Sequence, residues 1–204
     1  MKLSIIFNTC GLSGRENVDG YIDSIHNILN QDFDDYRIIL SSCLNSPVVR
    51  NRIMAEFEDR ISYNFINELL PVNVTFNHSA LKAYEEFGEF EGYMFVDSGI
   101  NFKDNKNVLK DLWELHTSGP YGMTCARADT DTGTFLWFNE GQGHGDESGQ
   151  DKLFENGHLI FPIGKTTNLH CQIFSKEVFH GMGERLMPDI FASHCTESTF
   201  SFVT

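Results

Sequence analysis

Short apolar runs and segments of helical spacing alternate along the first half of the chain. The apolar runs predict buried strands at residues 2–9, 36–41, 72–76 and 93–96. The segments between them predict helices at residues 16–29, 47–57, 79–87 and 105–117. Pro47 suits a first helical position, and Ser79 and Gly88 suit the two ends of the third helix. This βαβαβαβα order predicts an α/β fold with a mostly parallel sheet and helices on both faces.

The second half has a different and more mixed pattern. Residues 121–126 and 133–138 flank the segment 129–132, which predicts a hairpin. Further strands are predicted at 158–161 and 167–174, and a short helix at 176–181. We therefore expect one domain over residues 1–204, with a smaller mixed second half. The apolar run at 200–204 continues to the last residue, which leads us to expect a fragment of a longer protein with further domains.

Net charge, cysteine usage and the length of apolar runs restrict the partners and the cellular compartment that the sequence allows. The net charge is −14, and no basic face is evident, so a nucleic-acid partner or an anionic membrane surface is not expected. Five scattered cysteines without a C-x-x-C pair indicate free thiols in a reducing compartment such as the cytoplasm. The N-terminal apolar stretch is too short for a signal peptide, and no run is long enough for a membrane span.

Small polar residues follow each predicted strand. In an open parallel sheet, ligands bind at the carboxyl ends of the strands, near the point where strand order reverses. The residues to inspect are therefore those at 8–11, 42–45, 77–79 and 97–99. None of these sets contains the G-x-G-x-x-G of dinucleotide binders or the G-x-x-x-x-G-K of phosphate loops. A hydride-transfer enzyme and a kinase are both disfavoured.

Asp97 is the clearest single candidate for a functional residue. It follows four apolar or aromatic residues, so its carboxylate is expected at the rim of the sheet. Mn²⁺ and Mg²⁺ prefer oxygen ligands and diphosphates, and such an ion can neutralise charge on a leaving diphosphate. The alternative is that Asp97 only caps the turn before Asn101. The residues alone do not decide between these two interpretations.

Several segments resemble glycosyltransferases of the family-2 GT-A type. Residues 24–31 and 36–40 look like the first helix and second strand of that family. Residues 78–84 and 91–99 resemble its approach to the D-x-D metal motif, and 173–179 resembles a later segment. The resemblance is closest to glycosyltransferase domains of chlorella-virus proteins that build capsid glycans. It implies a GT-A, Rossmann-like fold, with residues 1–103 binding the nucleotide sugar and 104–204 serving the acceptor and catalysis. A viral origin would place the protein in the host cytoplasm.

The resemblance also implies a reaction. A sugar, as in a hexosyltransferase, would move from a nucleotide-diphosphate sugar to a glycan hydroxyl, with inversion of configuration and with Mn²⁺ or Mg²⁺ bound. A UDP-sugar is the favoured donor. Gly99 stands where the family has its second aspartate, so Asp97 would hold the metal alone, through water, or with His194. A satisfied, partly buried histidine is the alternative for His194.

The resemblance assigns the remaining site residues. Glu197, with Asp189 as runner-up, matches the position of the base that takes the acceptor proton, although both can equally be solvated charges. The expected donor-binding residues lie on the strand-end loops and the second helix. They are Thr9, Gly11, Ser42, Arg50, His78, Ser79, Asp97 and Ser98. For Arg50, the alternative is a surface arginine, and Arg52 competes for its role.

Two other functions stay open. A sugar-phosphate nucleotidyltransferase shares the layout and the metal, and residues 11–15 faintly resemble its glycine-rich first loop. A non-catalytic nucleotide-sugar-binding module would keep the fold without turnover, and Gly99 at the second aspartate position favours that alternative.

Overall fold

The architecture is given by a computed structural model that describes residues 1–11, 16–102, 105–125, 153–155, 158–160 and 171–186. The first half contains the strands β1 (Leu3–Cys10), β2 (Tyr36–Cys43), β3 (Ser62–Ile66) and β4 (Gly92–Asp97). Between and after them lie α1 (Val18–Leu29), α2 (Pro47–Phe57), a 3-10 turn (Glu58–Arg60), α3 (Val72–Phe87) and α4 (Val108–Thr117). The second half contains β5 (Met123–Cys125), β6 (Leu153–Glu155), β7 (His158–Ile160), β8 (Cys171–Ser175) and α5 (Lys176–Gly181).

The main sheet has the strand order β3-β2-β1-β4-β8-β5. Strands β1 to β4 are parallel, whereas β8 runs antiparallel to both β4 and β5. Strands β6 and β7 form a separate antiparallel pair. The expected α/β class, with a mostly parallel sheet and a more mixed second half, is confirmed. The chain progresses outward from β1 to β3 and then returns to β4 on the other side of β1. Strand order therefore reverses between β1 and β4.

Helices cover both faces of the sheet, as predicted. On one face, α1, α2 and α4 pack against alternate residues of β1, including Leu3, Ile5 and Phe7. On the other face, α3 and α5 pack around Ile6 and its neighbours. Because β1 is buried on both sides, it carries apolar residues on both of its faces, as expected of a central parallel strand. None of the described helices is both long and apolar enough to cross a membrane.

The predicted third strand is wrong. Residues 72–76 open α3, and Ser79 lies inside that helix rather than capping it, since the N-cap position belongs to Pro71. Val72, Thr75 and Phe76 favour strands by propensity. Packing decides otherwise, because Phe76, Ala80 and Ala83 recur at helical spacing and are fully buried against the sheet.

The true third strand is β3, which the sequence pattern does not reveal. Its central residue, Asn64, is polar and yet 4% exposed, so the strand lacks the apolar alternation that identifies a buried strand. The Asn64 amide is satisfied by Ser79 Oγ of α3, at 2.8 Å from Asn64 Nδ2. The predicted hairpin at 129–132 and the strand at 133–138 lie outside the described residues.

Candidate functional site

Asp97 lies at the point where strand order reverses. It is the last residue of β4, and in the parallel ladder it stands opposite Asn8 of β1. The backbone continues this pairing for one more step, because Ser98 N–H donates to Asn8 O at 3.2 Å. The Asp97 side chain is partly exposed, whereas the four residues before it are buried. The predicted placement of a carboxylate at the rim of the sheet is therefore what the fold produces.

Two residues of the turn after β4 donate hydrogen bonds to the Asp97 carboxylate. Ser98 Oγ and Gly99 N both donate to Asp97 Oδ1, each at 3.4 Å. These distances are long for hydrogen bonds to a carboxylate. Ile100 N–H closes the turn on Asp97 O at 2.9 Å, so a backbone hydrogen bond holds the turn. The two longer side-chain contacts are compatible with a carboxylate that also binds a cation.

The described residues fit a divalent cation only as a partial ligand set. Within the described ranges, no group of three or more His, Cys, Asp or Glu side chains is placed to hold a metal ion. Asp97 supplies one carboxylate at the strand end. Mg²⁺ is commonly held by one or two carboxylates together with substrate phosphates, so a single carboxylate suits an ion that arrives with a diphosphate.

Asn45 ties the ends of β1 and β2 together. Thr9 Oγ1 donates to Asn45 Oδ1 at 2.7 Å, and Ser42 Oγ donates to the same oxygen at 2.9 Å. Thr9 and Ser42 are each 1% exposed and Asn45 is 4% exposed. Both hydroxyls expected to touch a donor are therefore engaged inside the protein. They stabilise the ends of β1 and β2 and do not offer a free hydroxyl proton to a ligand.

Glu16 completes this network from the segment before α1. Glu16 Oε1 accepts from Asn45 Nδ2 at 2.9 Å and from Ser46 N–H at 2.8 Å, at the start of α2. Partial burial alone would raise the pKa of Glu16. The hydrogen bonds from Ser46 and Asn45 and the charge of Arg50 outweigh that effect and lower the pKa below its ordinary value. Glu16 is therefore an ionised anchor that joins the segment before α1 to the turn before α2.

The sequence interpretation did not assign Asn45 or Glu16 to the site. Asn45 belongs to the residues 42–45 that follow a predicted strand. Ser46 and Pro47 form a recognisable helix start, which is a local signal directly after Asn45. Glu16 appeared only as the first residue of a predicted helix. No local signal shows that these two side chains meet, because 29 positions separate them.

Gly11 allows the closest approach between the two strand-end loops. A Cβ built on Gly11 would lie 2.3 Å from Leu44 O and 2.8 Å from Asn45 Cα. Gly11 N–H also donates to Cys43 O at 2.9 Å, which extends the ladder between β1 and β2. Gly11 was expected to bind the donor, and in the structure the space that a side chain would fill is taken by the turn after β2.

Arg50 supports the end of β3 and does not point a free guanidinium at the edge. Its Nη1 donates to Asn67 Oδ1 at 2.6 Å, and its Nη2 donates to Ile66 O at 3.0 Å. Nη2 also lies 3.4 Å from Ser42 O, and the group sits 4.9 Å from the centre of the Phe65 ring. These contacts occupy the fork that a base or phosphate would need. The competing residue, Arg52, pairs with Asp19 between α2 and α1.

His78 and Ser79 do not follow a strand, so the reason for assigning them to the donor site is wrong. Both lie inside α3. Ser79 is fully buried and accepts from Asn64 Nδ2. His78 is exposed on the helix, and its Nδ1 lies 3.0 Å from the same Asn64 nitrogen.

Tyr21 of α1 faces the same edge. Burial raises the pKa of the Tyr21 phenol, and the nearby charges of Glu16, Cys10 and Asp97 raise it further. The phenol therefore stays protonated. It lies within electrostatic range of both carboxylates at the edge. The predicted base residues Glu197 and Asp189, and the predicted metal ligand His194, lie outside the described residues.

Comparison by sequence finds no relatives: no protein-family model matches the chain, and no curated protein does. Comparison of structures does find a shared fold. TarS from S. aureus (residues 1–349) superposes with a TM-score of 0.62 at 17% identity, over 98% of this chain and 54% of TarS. The mannosyltransferase PcManGT from Pyrobaculum calidifontis, in complex with GDP-Man and Mn²⁺, gives 0.62 at 13% identity, over 98% of this chain and 50% of the enzyme.

A third structure with the same fold belongs to another class of enzyme. The 4-diphosphocytidyl-2C-methyl-D-erythritol synthase from Anaerococcus prevotii superposes with a TM-score of 0.50 at 12% identity, over 89% of this chain and 73% of that one. The chain spans about half the length of TarS (1–349) and of the mannosyltransferase. At these identities the comparisons establish the fold, and the function must be argued from the site.

Proposed function

We propose that the chain is a metal-dependent glycosyltransferase domain that moves a sugar from a nucleotide-diphosphate sugar to a glycan hydroxyl. The observation that carries this proposal is the position of Asp97. A partly exposed carboxylate ends β4 beside Asn8, at the reversal of strand order where open α/β sheets bind their ligands.

The structural neighbours support this choice of ligand. The mannosyltransferase was solved with GDP-Man and Mn²⁺, and TarS was also solved with UDP, at a TM-score of 0.61 to this chain. Both structures contain a nucleoside diphosphate moiety, as part of GDP-Man in one and as UDP in the other. The acidic charge of −14 is compatible with such a ligand when a cation lies between the phosphates and the protein. We favour a UDP-sugar as donor and inversion as outcome, as the sequence resemblance implies.

Each part of the chain has a role in this proposal. Asp97 would hold the Mn²⁺ or Mg²⁺ ion, with His194 as a second ligand. When bound, the ion would offset the charge that grows on the leaving diphosphate. Ser98 would contact the donor beside it. Glu197, or Asp189 as runner-up, would take the proton from the acceptor hydroxyl, which inversion requires. His194, Asp189 and Glu197 lie outside the described residues, and their roles rest on the sequence resemblance.

The edge between β1 and β2 would receive the nucleoside. Gly11 and the turn after β2 bring two backbones together there, and the hydrogen bonds of Asn45 and Glu16 connect the loops at that surface. A preformed surface lowers the ordering cost of binding. Thr9 and Ser42 would support this surface through their hydrogen bonds to Asn45. Arg50 would support it through its contacts with the end of β3.

A nucleotidyltransferase is the second candidate, because the erythritol synthase shares the fold at a TM-score of 0.50. A non-catalytic nucleotide-sugar-binding module is the third, since Gly99 takes the place of a second carboxylate after Asp97. A viral origin, with the host cytoplasm as the location, is a further proposal that rests on the sequence resemblance.

A two-stage experiment separates these candidates. Thermal unfolding is first recorded with UDP-sugars, GDP-sugars and nucleoside triphosphates, each with and without Mn²⁺, because a ligand that binds the folded state raises its apparent stability. The stabilising donor is then incubated with sugar acceptors, and the released products are analysed. Release of a nucleoside diphosphate supports the glycosyltransferase. Release of pyrophosphate from a nucleoside triphosphate and a sugar phosphate would instead support the nucleotidyltransferase. Binding of a nucleotide sugar without turnover would support the non-catalytic binding module.

A further inference from the structure

Two cysteines end neighbouring strands at the same edge of the sheet. Cys10 is the last residue of β1 and Cys43 the last residue of β2, and the parallel register places them opposite each other. Registered residues of adjacent strands point to the same face and lie about 4.8 Å apart along the hydrogen-bonding direction. A disulfide accepts Cα separations of roughly 4.4–6.8 Å, so this pair falls within the allowed range.

The two thiols are neighbours, and their surroundings differ. Burial raises the pKa of the Cys43 thiol, the nearby Cys10 thiol raises it further, and both are free thiols. Cys10 is exposed, whereas Cys43 is 2% exposed and its Sγ lies 3.3 Å from Glu68 O. An exposed thiol meets an oxidant from solvent, and a buried neighbour can then attack the adduct it forms. This pairing of an accessible and a resolving cysteine is the arrangement that a reversible disulfide requires.

We propose that Cys10 and Cys43 form a redox-modification site that closes to a disulfide when it meets a small disulfide oxidant of the glutathione type. The Cys10 thiolate attacks one sulfur of glutathione disulfide, forms a mixed disulfide and releases one glutathione thiolate. Cys43 sulfur then attacks Cys10 sulfur, the bond between Cys10 and glutathione breaks, and the second glutathione leaves. The two cysteine protons end on the two glutathione molecules. The protein dithiol is oxidised by two electrons, and glutathione disulfide is reduced to two thiols.

This inference stands apart from the proposed function, since it needs only the strand register and the different exposure of the two thiols. Its consequence concerns the same region, however. The new bond would clip β1 to β2 next to Gly11 and the turn after β2, where two backbones already approach closely. Oxidation would thereby lock the edge at which the nucleoside is proposed to bind.

The test is oxidation of the folded chain with glutathione disulfide, an acid quench, alkylation of remaining thiols, and peptide mapping by mass spectrometry without reduction. Wild-type protein should give a peptide that links Cys10 to Cys43 and should recover both free thiols with dithiothreitol. Cys43→Ala should instead accumulate glutathione on Cys10, because the resolving sulfur is missing. Cys171→Ala, which removes a buried cysteine on β8, should give the same linked peptide as wild type.

The wild-type map decides the matter even if a variant folds poorly. A persistent glutathione adduct on Cys10 without any linked peptide would overturn the proposal, because it would show that Cys43 does not resolve the adduct. Recovery of both cysteines as alkylated free thiols would overturn it equally.

Discussion

Asn45 Nδ2 donates to Glu16 Oε1 at 2.9 Å, and this bond fixes which way the Asn45 amide points. Glu16 is an ionised acceptor, so the amide nitrogen must face it. The amide oxygen is then left to accept from Thr9 and Ser42. A single amide thus orients two hydroxyls and one carboxylate around the ends of β1 and β2.

Replacing this amide by a carboxylate should destabilise the protein in a pH-dependent way. Asn45→Asp places two carboxylates about as close as the present 2.9 Å bond, and like charges at that distance oppose each other. We expect a loss of about 2 kcal/mol in the free energy of unfolding at pH 7. The pKa of one carboxyl of the pair is raised in the folded state, so the loss should shrink as the pH falls toward 5 and the pair takes up a proton. Urea unfolding at both pH values measures it.

The double variant Glu16→Gln/Asn45→Asp is the matched control. It reverses the polarity of the bond, because the amide introduced at position 16 can donate to the new carboxylate and still accept from Ser46 N–H. We expect it to recover at least half of the stability lost at pH 7. If the single and double variants lose the same stability at every pH, the direct contact of these residues does not explain the effect.

Gly11→Ala should be costly and Gly99→Ala harmless. The added methyl group at Gly11 would meet Leu44 O at 2.3 Å, and backbone must move to admit it. We expect a loss of about 2 kcal/mol in the free energy of unfolding, within the usual range for overpacking. A methyl group added at Gly99 would have no heavy atom within 4 Å, so this variant should change stability by less than about 0.5 kcal/mol. Equal stability of the two variants would contradict the close approach of the two loops.

Arg50→Lys tests the structural role of the guanidinium. A lysine keeps the charge but not the fork that bonds Asn67 and Ile66 O, nor the planar face over Phe65. We expect a loss of about 2 kcal/mol in stability, measured by urea unfolding, with donor affinity falling less than about threefold. Arg52→Ala removes an exposed pair with Asp19 and should cost less than about 1 kcal/mol. A loss of donor affinity without a loss of stability in Arg50→Lys would restore Arg50 as a ligand.

His116 should make the fold sensitive to mild acid. Burial lowers the pKa of His116 to about 4, against a small opposing effect of Glu177. The folded state therefore binds fewer protons than the unfolded state between this value and the ordinary 6.5, and stability is lost as the pH falls through that range. From pH 6.5 to 5 the expected loss is about 2 kcal/mol. His116→Gln should lack this component, so an identical pH dependence of unfolding in both proteins would contradict the prediction.

Hydrophobic pattern predicts most of the fold, and it fails where polar residues are buried. The sheet class, α1, α2, β4 and α5 follow from apolar spacing and end signals in the sequence. β3 was missed because Asn64 sits in its interior and is satisfied by Ser79, a residue of α3 that is 15 positions away. Residues 72–76 favour strands by propensity and were therefore predicted as the third strand in place of β3. A hydrogen bond between two elements produces no hydrophobic periodicity in the sequence of either element.

The site was predicted in part for the same reason. Asp97 is visible because a strand ends on it, and a strand end is a local property. The roles of Thr9, Ser42 and Arg50 depend on which neighbours engage them first. Asn45 and the end of β3 do so, and neither can be located before the strands are paired. Strand-end position therefore identifies the edge, while the hydrogen bonds within the protein decide which side chains at that edge remain available.

The central claim is that Asp97 binds a nucleotide diphosphate through a divalent cation, and calorimetric titration of Asp97→Asn tests it most directly. UDP and GDP are titrated in Mn²⁺ and again in excess chelator, into wild type, Asp97→Asn and Asp35→Asn. Asp35 lies before β2, at the opposite end of the sheet. We expect wild type and Asp35→Asn to bind at least one of the two nucleotides in a Mn²⁺-dependent manner, and Asp97→Asn to bind it at least about tenfold more weakly, a difference of about 1.4 kcal/mol. Equal affinity of wild type and Asp97→Asn in Mn²⁺, or wild-type affinity that chelation leaves unchanged, would contradict the account.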